Sequence, residues 1–422
     1  GTIIFQDQVI EVAMAFAGFS PGEAEGLRRA MSRKRSAAAI EAYHRRFIEG
    51  AAATHGVEEE IAERVYTMIV GFSGFGFPKA HGAAFGLLAY QSTWLRVHHG
   101  PEFLCALLNE QPMGFYAPDT LVHEAQRRGI EIVAPDVNES EVECTVDPPS
   151  RVRIGLGYVL GVRREEVEAL VAARRTRGPF RSLADLASRA GAGRPALEKL
   201  AWAGACDELG GSRRTTLWQL GVAAPGERVR EGTQLSLPLE VPAAPELRTL
   251  APWEGMVADY ATTGLTLGPH PLKLLRGGLP AGTVSCQDLG RLSHGSPVSI
   301  GGLVVARQRP GTAKGIVFIL LEDEFGTVNL IVPPPVYERR RLVVRMEPLI
   351  MAEGRLERLP QAGGAINVYV RDLRPLVTPE DDAADVVALA ERRTAAAAAA
   401  AAASDFRGVA PAVQSFASGR RR

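Results

Sequence analysis

Several residues in this chain are of kinds that hold phosphate rather than break bonds. Arg28, Arg29 and Lys34 crowd the end of one helical stretch. Guanidinium groups form forked, charge-assisted hydrogen bonds to phosphate oxygens, so the cluster reads as a clamp for a triphosphate. Glu25 stands four residues before Arg29, and a salt-bridged helix face is the competing reading. Lys79 and His81 belong to a loop rich in glycine and phenylalanine, where glycine lets a ligand approach the backbone closely. A lone histidine such as His81 is more often structural than catalytic.

A second group lies further on. Leu160-Gly161-Val162-Arg163 and Ala203-Gly204-Ala205-Cys206-Asp207, the latter followed by Ser212-Arg213-Arg214, fall between helical runs. Paired helices joined by a glycine hairpin can aim backbone N–H groups and helix N-termini at a phosphate. Gly161, Arg163, Gly204, Arg213 and Arg214 are therefore candidates for duplex contact. A second hairpin glycine is missing at Arg163, and two hairpins that simply pack together are the alternative. Between Arg151 and Arg214 there are 13 Lys/Arg against 7 Asp/Glu, a local basic stripe in a chain of zero formal net charge. Such a stripe is the footprint of phosphate contact, and the zero total excludes a uniformly basic DNA-coating protein.

Arg307, Arg309 and Lys314 flank Pro310-Gly311-Thr312-Ala313, and Phe318 follows on the next β-rich run. Cations on a loop beside an aromatic face suit single-stranded DNA, with charge tracking the backbone and rings stacking bases. Phe318 alone reads as core. Gln234-Leu235-Ser236-Leu237-Pro238-Leu239 interrupts a polar linker. Its extended form would present Gln234, Leu235, Leu237 and Leu239 to a partner's groove, or back to its own protein.

What is missing matters as much. Two-metal phosphoryl transfer needs converging carboxylates, and no Asp-x-Asp pair on strands with a third acid nearby is found. No catalytic residue and no metal ligand set is expected. The cysteines, Cys105, Cys144, Cys206 and Cys286, are too far apart for a zinc pair or a disulfide framework and fit inert thiols in a reducing cytoplasm. No apolar run is long enough to span a membrane. The opening Gly1-Thr2-Ile3-Ile4-Phe5 reads as the middle of a domain, so the chain is expected to be a fragment.

The elements that must position these groups divide the 422 residues. Residues 1–112 read as helices: Ser20-Pro21-Gly22-Glu23 is a capping box opening a helix to about Arg35, with further helices near 41–50, 57–70 and from the glycine loop onward. Leu87, Tyr90 and Trp94 share one helix face. Residues 113–150 read as a connector with a short strand at 130–133, 151–222 as helical hairpins, 223–250 as a linker and 251–290 as a helical connector. From 296 to 376 the period changes. Val298–Val305, Ile316–Glu322, Val328–Val332, Leu349–Leu356 and Ile366–Val370 are five β-rich runs, as in a small closed OB barrel. Residues 377–422 read as an Ala-rich, solvent-facing tail. The expected class is α+β multidomain, helical first and barrel last.

Phe5-Gln6-Asp7-Gln8-Val9, Ala17-Gly18-Phe19-Ser20, Leu27-Arg28-Arg29-Ala30-Met31 and Phe75–Phe85 with Tyr90-Gln91-Ser92 closely resemble the fingers of bacterial C-family DNA polymerases, the DNA polymerase III alpha subunits. The order of fingers, helix-hairpin-helix, linker peptide and OB barrel matches that family over about 1–376. Arg307–Phe318, Asp259-Tyr260, Thr263-Gly264-Leu265 and His270-Pro271 look most like its error-prone, damage-inducible branch, and Ser404–Arg407 is similar to that branch's ending. The Ala tract and the ending at Arg422 depart from it. A truncated replicative subunit and a non-catalytic clamp-docking module are the alternatives.

The resemblance implies that Arg28, Arg29 and Lys34 face a deoxynucleoside triphosphate and that Lys79 and His81 lie by template or primer. It implies duplex phosphate at the two hairpins and a sliding clamp at Gln234–Leu239. Translesion accessory proteins are the further partners it suggests. It also implies a nucleotidyltransferase parent using Mg2+, whose palm acids and phosphoesterase-like domain precede Gly1, so that this piece alone is inactive.

Overall fold

The computed structural model describes residues 4–32, 37–71, 78–113, 116–224, 241–359, 364–379, 405–411 and 413–417. It divides into two compact units, Gly1–His98 and His99–Arg422. Lys34, the glycine-aromatic loop at 72–77, the Gln234–Leu239 peptide and the Ala tract lie outside the described residues.

The first unit is helical: α1 Gln6–Ala17, α2 Pro21–Ser32, α3 Ala37–His55, α4 Glu59–Gly71 and α5 Lys79–His98. The capping box forms as read. The Ser20 N–H donates to Glu23 at 2.7 Å, and the Glu23 N–H returns to Ser20 Oγ at 3.3 Å. Val9, Ala13, Phe19, Leu27, Phe47, Tyr66 and Ile69 close the core between α1, α2, α3 and α4. Helix α3 extends well beyond the 41–50 span, because its flanking alanines favour helix.

The second unit begins with α6 Gly100–Asn109 and α7 Pro118–Arg127. Strands β1 Ile132–Val133, β2 Thr145–Asp147 and β3 Arg151–Arg153 form a small sheet in the order β1-β3-β2. The hairpin region follows: α8 Arg164–Arg177, α9 Leu183–Arg189, α10 Arg194–Trp202, α11 Asp207–Gly210 and α12 Arg213–Ala223. Its core is the stripe of Val167, Leu170, Phe180, Leu186, Leu197, Leu200 and Leu220. Residues 113–150, read as a connector with a short strand, also hold helix α7. Pro118 opens a buried helix there, and that helix carries a structural carboxylate, Asp119.

Helices α13 Pro252–Thr263 and α14 Pro271–Leu275, strand β4 Thr283–Val284 and helix α15 Cys286–Leu289 lead into the barrel. Its strands are β5 Pro297–Arg309, β6 Val317–Asp323, β7 Gly326–Val332, β8 Leu349–Leu359 and β9 Ala365–Pro375. Helices α16 Pro334–Arg339 and α17 Arg341–Met346 sit between β7 and β8. The pairing β5-β6-β7-β9-β8 returns to β5, with β7 and β9 parallel and the other four pairs antiparallel. That is a closed five-stranded OB barrel. All five β-rich runs are strands, and four extend further than their apolar residues suggested. Closure requires it: β5 must pair with both β6 and β8, bending at a bulge between Val304 and Ala306. Gly302 lies at this bend, where a Cβ would come 2.3 Å from Leu321 Cγ.

The tail is not wholly solvent-facing. Helix α18 Phe406–Val409 buries Phe406 completely against Trp253 and Tyr260, and β10 Gln414–Ala417 adds in parallel to β5. An aromatic side chain buries enough surface to hold a short segment that has no helix propensity of its own. Phe406→Ala should destabilise this unit by about 3–5 kcal/mol, read as a lower denaturant midpoint; an unchanged midpoint would show that the tail is not part of the fold.

Candidate nucleic-acid interface

The two glycine hairpins differ once built. Gly161 takes φ +81°, a conformation that only glycine adopts cheaply, and it turns the chain into α8. A Cβ placed there would lie 3.7 Å from the Lys199 Cε, so an exposed lysine from α10 stands beside the turn. Arg163 caps α8 and is 69% exposed, with Nε on Glu166 at 3.1 Å. Backbone turn, helix start and two exposed cations converge here, which is the chemistry of a phosphate cradle. Lys199 is absent from the sequence reading. Its only sequence signal is membership of the basic stripe, because its approach to Gly161 is made by folding.

Gly204 has the same positive φ, +82°. Its surroundings are acidic as well as basic. A Cβ there would lie 3.1 Å from Arg213 Nη2 and 3.2 Å from Asp207 Oδ2. Arg213 Nη2 donates to Asp259 on α13 at 2.7 Å, and Arg214 reaches Glu254 at 3.5 Å. Burial raises the Asp207 carboxyl to about 6 despite Arg213. The cations of the second hairpin are thus tied to α13, and phosphate would have to compete with carboxylates for them.

On the barrel, the four expected residues separate. Phe318 alternates with buried Val317 and Ile319 and stands half-buried on the outer surface of β6, not in the core. Arg309 is exposed, with its guanidinium 4.6 Å from the Tyr337 ring centre. Lys314 is exposed at the β5–β6 turn, at φ +50°. Arg307 is half-buried, donates to the Glu347 carbonyl and has its Nε sealed from solvent. Burial lowers its pKa to about 10, so it stays charged at neutral pH but points into the protein. Arg309 and Lys314 are therefore the exposed cations of the four, with Phe318 half-buried on the same barrel and the Tyr337 ring buried beneath Arg309.

In the first unit, Arg28 and Arg29 both bind Glu25, at 2.7 and 2.9 Å. The two guanidiniums hold the Glu25 carboxyl down at about 2. Arg29 remains 73% exposed. A triphosphate could recruit both by displacing one carboxylate. The Lys79 N–H donates to Asp7 at 2.8 Å, which anchors the start of α5. His81 is exposed on the first turn of α5, its ring 4.4 Å from Phe85.

Comparison with known proteins follows the same order along the chain. A model of the bacterial DNA polymerase III alpha subunit finger domain matches residues 1–55, and a helix-hairpin-helix model matches 129–216. An error-prone DNA polymerase of Anaeromyxobacter dehalogenans is 43% identical over 397 residues, 91% of this chain. One from Pseudomonas fluorescens is 40% identical over 382 residues, 89% of the chain. Over nine-tenths of its length the chain is a homologue of error-prone DNA polymerases. It spans about a third of the length of these relatives, 34% and 37% respectively. Among solved structures, an asparaginyl-tRNA synthetase from Pyrococcus horikoshii covers 26% of this chain and 27% of its own at 22% identity, with a TM-score of 0.21, too slight a likeness to carry an argument.

Sequence reading also missed a polar joint in the second unit of this polymerase homologue. His123, His270 and Glu322, all buried, meet from α7, the cap of α14 and β6. No motif spacing could have announced them, since each comes from a different segment.

The geometry separates structural from available cations. Arg213→Ala should strand Asp259 and weaken the fold by about 1–3 kcal/mol. Denaturant unfolding checks this, and an unaltered midpoint would mean that Arg213 is not committed to α13.

Proposed function

We propose that the chain is the DNA-gripping portion of an error-prone, DNA-directed DNA polymerase used in damage-induced synthesis. The carrying observation is 43% identity to an error-prone DNA polymerase over 91% of the chain, with finger and helix-hairpin-helix models matching in that order. In this reading Gly161, Arg163 and Lys199 receive duplex phosphate. Gly204, Arg213 and Arg214 support the second hairpin, with Arg214 nearest to solvent. Arg309, Lys314 and Phe318 follow single-stranded template. Arg28, Arg29 and Lys34 meet the incoming nucleotide, with Lys79 and His81 near template or primer. Gln234, Leu235, Leu237 and Leu239 offer a peptide to a sliding clamp. That no described helix is long and apolar enough to cross a membrane agrees with this setting.

The chemistry of the class is attack by a primer hydroxyl on a nucleotide α-phosphate between two Mg2+ ions. Four of the described carboxylates are already engaged. Asp323 and Glu324 are held by Arg276, Asp372 by Arg340, and Asp119 accepts from Tyr260 and the Thr266 N–H. No catalytic step is assigned to them. The 422-residue chain should bind primed DNA yet extend no primer with Mg2+ and nucleotides; any extension overturns this assignment.

Binding should be steeply salt-dependent. Contact with about six phosphates would cost about 10³ in affinity between ~50 and ~200 mM salt. Removing Arg309 or Lys314 should lower the slope for single strands by about 1 each, and removing Lys199 should do the same for duplex. Fluorescence anisotropy across a salt series measures both, and a flat series would refute the electrostatic reading. Gln234→Ala with Leu237→Ala should weaken capture by the clamp; equal capture would remove that peptide from the proposal.

A further inference from the structure

The buried joint of His123, His270 and Glu322 has too many polar atoms for its hydrogen bonds. The three residues are 4%, 6% and 0% exposed. Both ring nitrogens of His123, Nε2 of His270 and Oε2 of Glu322 are sealed from solvent with no hydrogen-bond partner. One ligand atom from each residue lies within 4.8 Å of the others. The imidazole rings stand 4.8 Å apart at 57°. Buried polar groups are otherwise almost always satisfied, so three residues that bring one unpartnered atom each to within 4.8 Å call for a missing partner.

The surrounding groups are accounted for. Arg127 donates to the other Glu322 oxygen at 2.9 Å. Asp119 lies 3.6 Å from His123 Nδ1 while accepting from Tyr260 at 2.9 Å and the Thr266 N–H at 3.1 Å. Arg276 is turned to Asp323 and Glu324. Asp119 and Glu322 approach His123 Nδ1 only at ion-pair distance, 3.6 and 3.7 Å, and His123 Nε2 and His270 Nε2 have no hydrogen-bond partner among the described residues.

We propose that His123, His270 and Glu322 bind a divalent transition metal of the zinc class, pinning α7 and α14 to the barrel. Two imidazoles and one carboxylate are a zinc donor set, whereas Mg2+ and Ca2+ prefer oxygen alone. Asp119 beside His123 supplies the carboxylate that orients a ligating imidazole. A tetrahedral ion with bonds of about 2 Å holds its ligand atoms roughly 3.3 Å apart. The three side chains close on it by roughly 1.5 Å at most, within the reach of small χ rotations. The Leu272 N–H donates to His270 Nδ1 at 3.1 Å, so the metal-free neutral ring carries its proton on Nε2. Ligation through Nε2 moves that proton to Nδ1 and gives up this one capping bond. The site stands apart from the phosphate-facing surfaces and does not depend on the polymerase reading.

The test uses the whole 422-residue chain, stripped with chelator and titrated with Zn2+ and with Co2+. One equivalent should bind, Co2+ should show the intense visible absorption of a tetrahedral centre, and Zn2+ should raise the unfolding temperature. His123→Gln and His270→Gln should each weaken binding by more than about 100-fold, beyond what an outer-sphere partner contributes. His294→Gln, at an exposed histidine, should bind as the parent does. The proposal is overturned if the folded parent takes up no metal at micromolar concentration, or if folded His123→Gln and His270→Gln chains keep it. Should these variants fail to fold, the parent's cobalt spectrum decides: octahedral absorption, or none, rejects the site.

Discussion

Glu322 and Asp323 are two adjacent carboxylates at the end of a barrel strand, both fully buried, and each is matched by an arginine from a different earlier segment. Arg127 of α7 meets Glu322 at 2.9 Å, and Arg276 meets Asp323 at 3.3 Å while gripping Glu324. Taking two charges out of water is unfavourable unless each is matched, so neither carboxylate tolerates the loss of its partner. Asp323 has further duty: it accepts the N–H groups of Cys286, Phe325 and Gly326, and so shapes the β6–β7 turn. The end of β6 is thereby bonded to the helices before the barrel.

Helix α13 extends that dependence to the hairpins. Its Tyr260 donates to Asp119, its Asp259 accepts from Arg213, and its Thr262 carbonyl accepts the Leu160 N–H at the first hairpin. Its apolar face packs on Leu303, Leu349 and Met351 of the barrel and on Phe406 of the tail. One twelve-residue helix therefore touches the hairpin region, the barrel and the tail of the second unit. Arg213 and Arg214, paired with Asp259 and Glu254, tie the second hairpin to that helix.

Sequence reading recovered what local pattern controls. The Ser20–Glu23 box, the strand runs and the glycine turns at 161 and 204, which take positive φ once folded, are all set by short-range sterics and period. Helix α7 escaped because its apolar positions are few and its buried face is polar: Asp119, Thr120 and His123 look like a solvent face until Tyr260 and Glu322 arrive from far along the chain. Phe406 escaped for the same reason, since an isolated aromatic in an Ala-rich tail acquires meaning only beside Trp253 and Tyr260. Phe318 shows the converse. Its period with Val317 and Ile319 already placed it on the outer face, and only its hydrophobicity argued for the core.

The basic stripe illustrates why counting charges does not locate a nucleic-acid surface. Arg153, Arg174, Arg189 and Arg213 belong to it by sequence, yet each is at least four-fifths covered and bound to a carboxylate at 2.7–2.9 Å. Such pairs hold loops and helices in register and present little field to a ligand, because the partner charge cancels it at short range. The outward cations of the stripe include Arg163 and Lys199 at the first hairpin and Arg164, Arg175, Arg177 and Arg181 along and after α8, and on the barrel Arg309 and Lys314 are exposed as well. Phosphate recognition then depends less on total charge than on which cations the fold leaves exposed, and that division is made by partners too distant in sequence to be read from it.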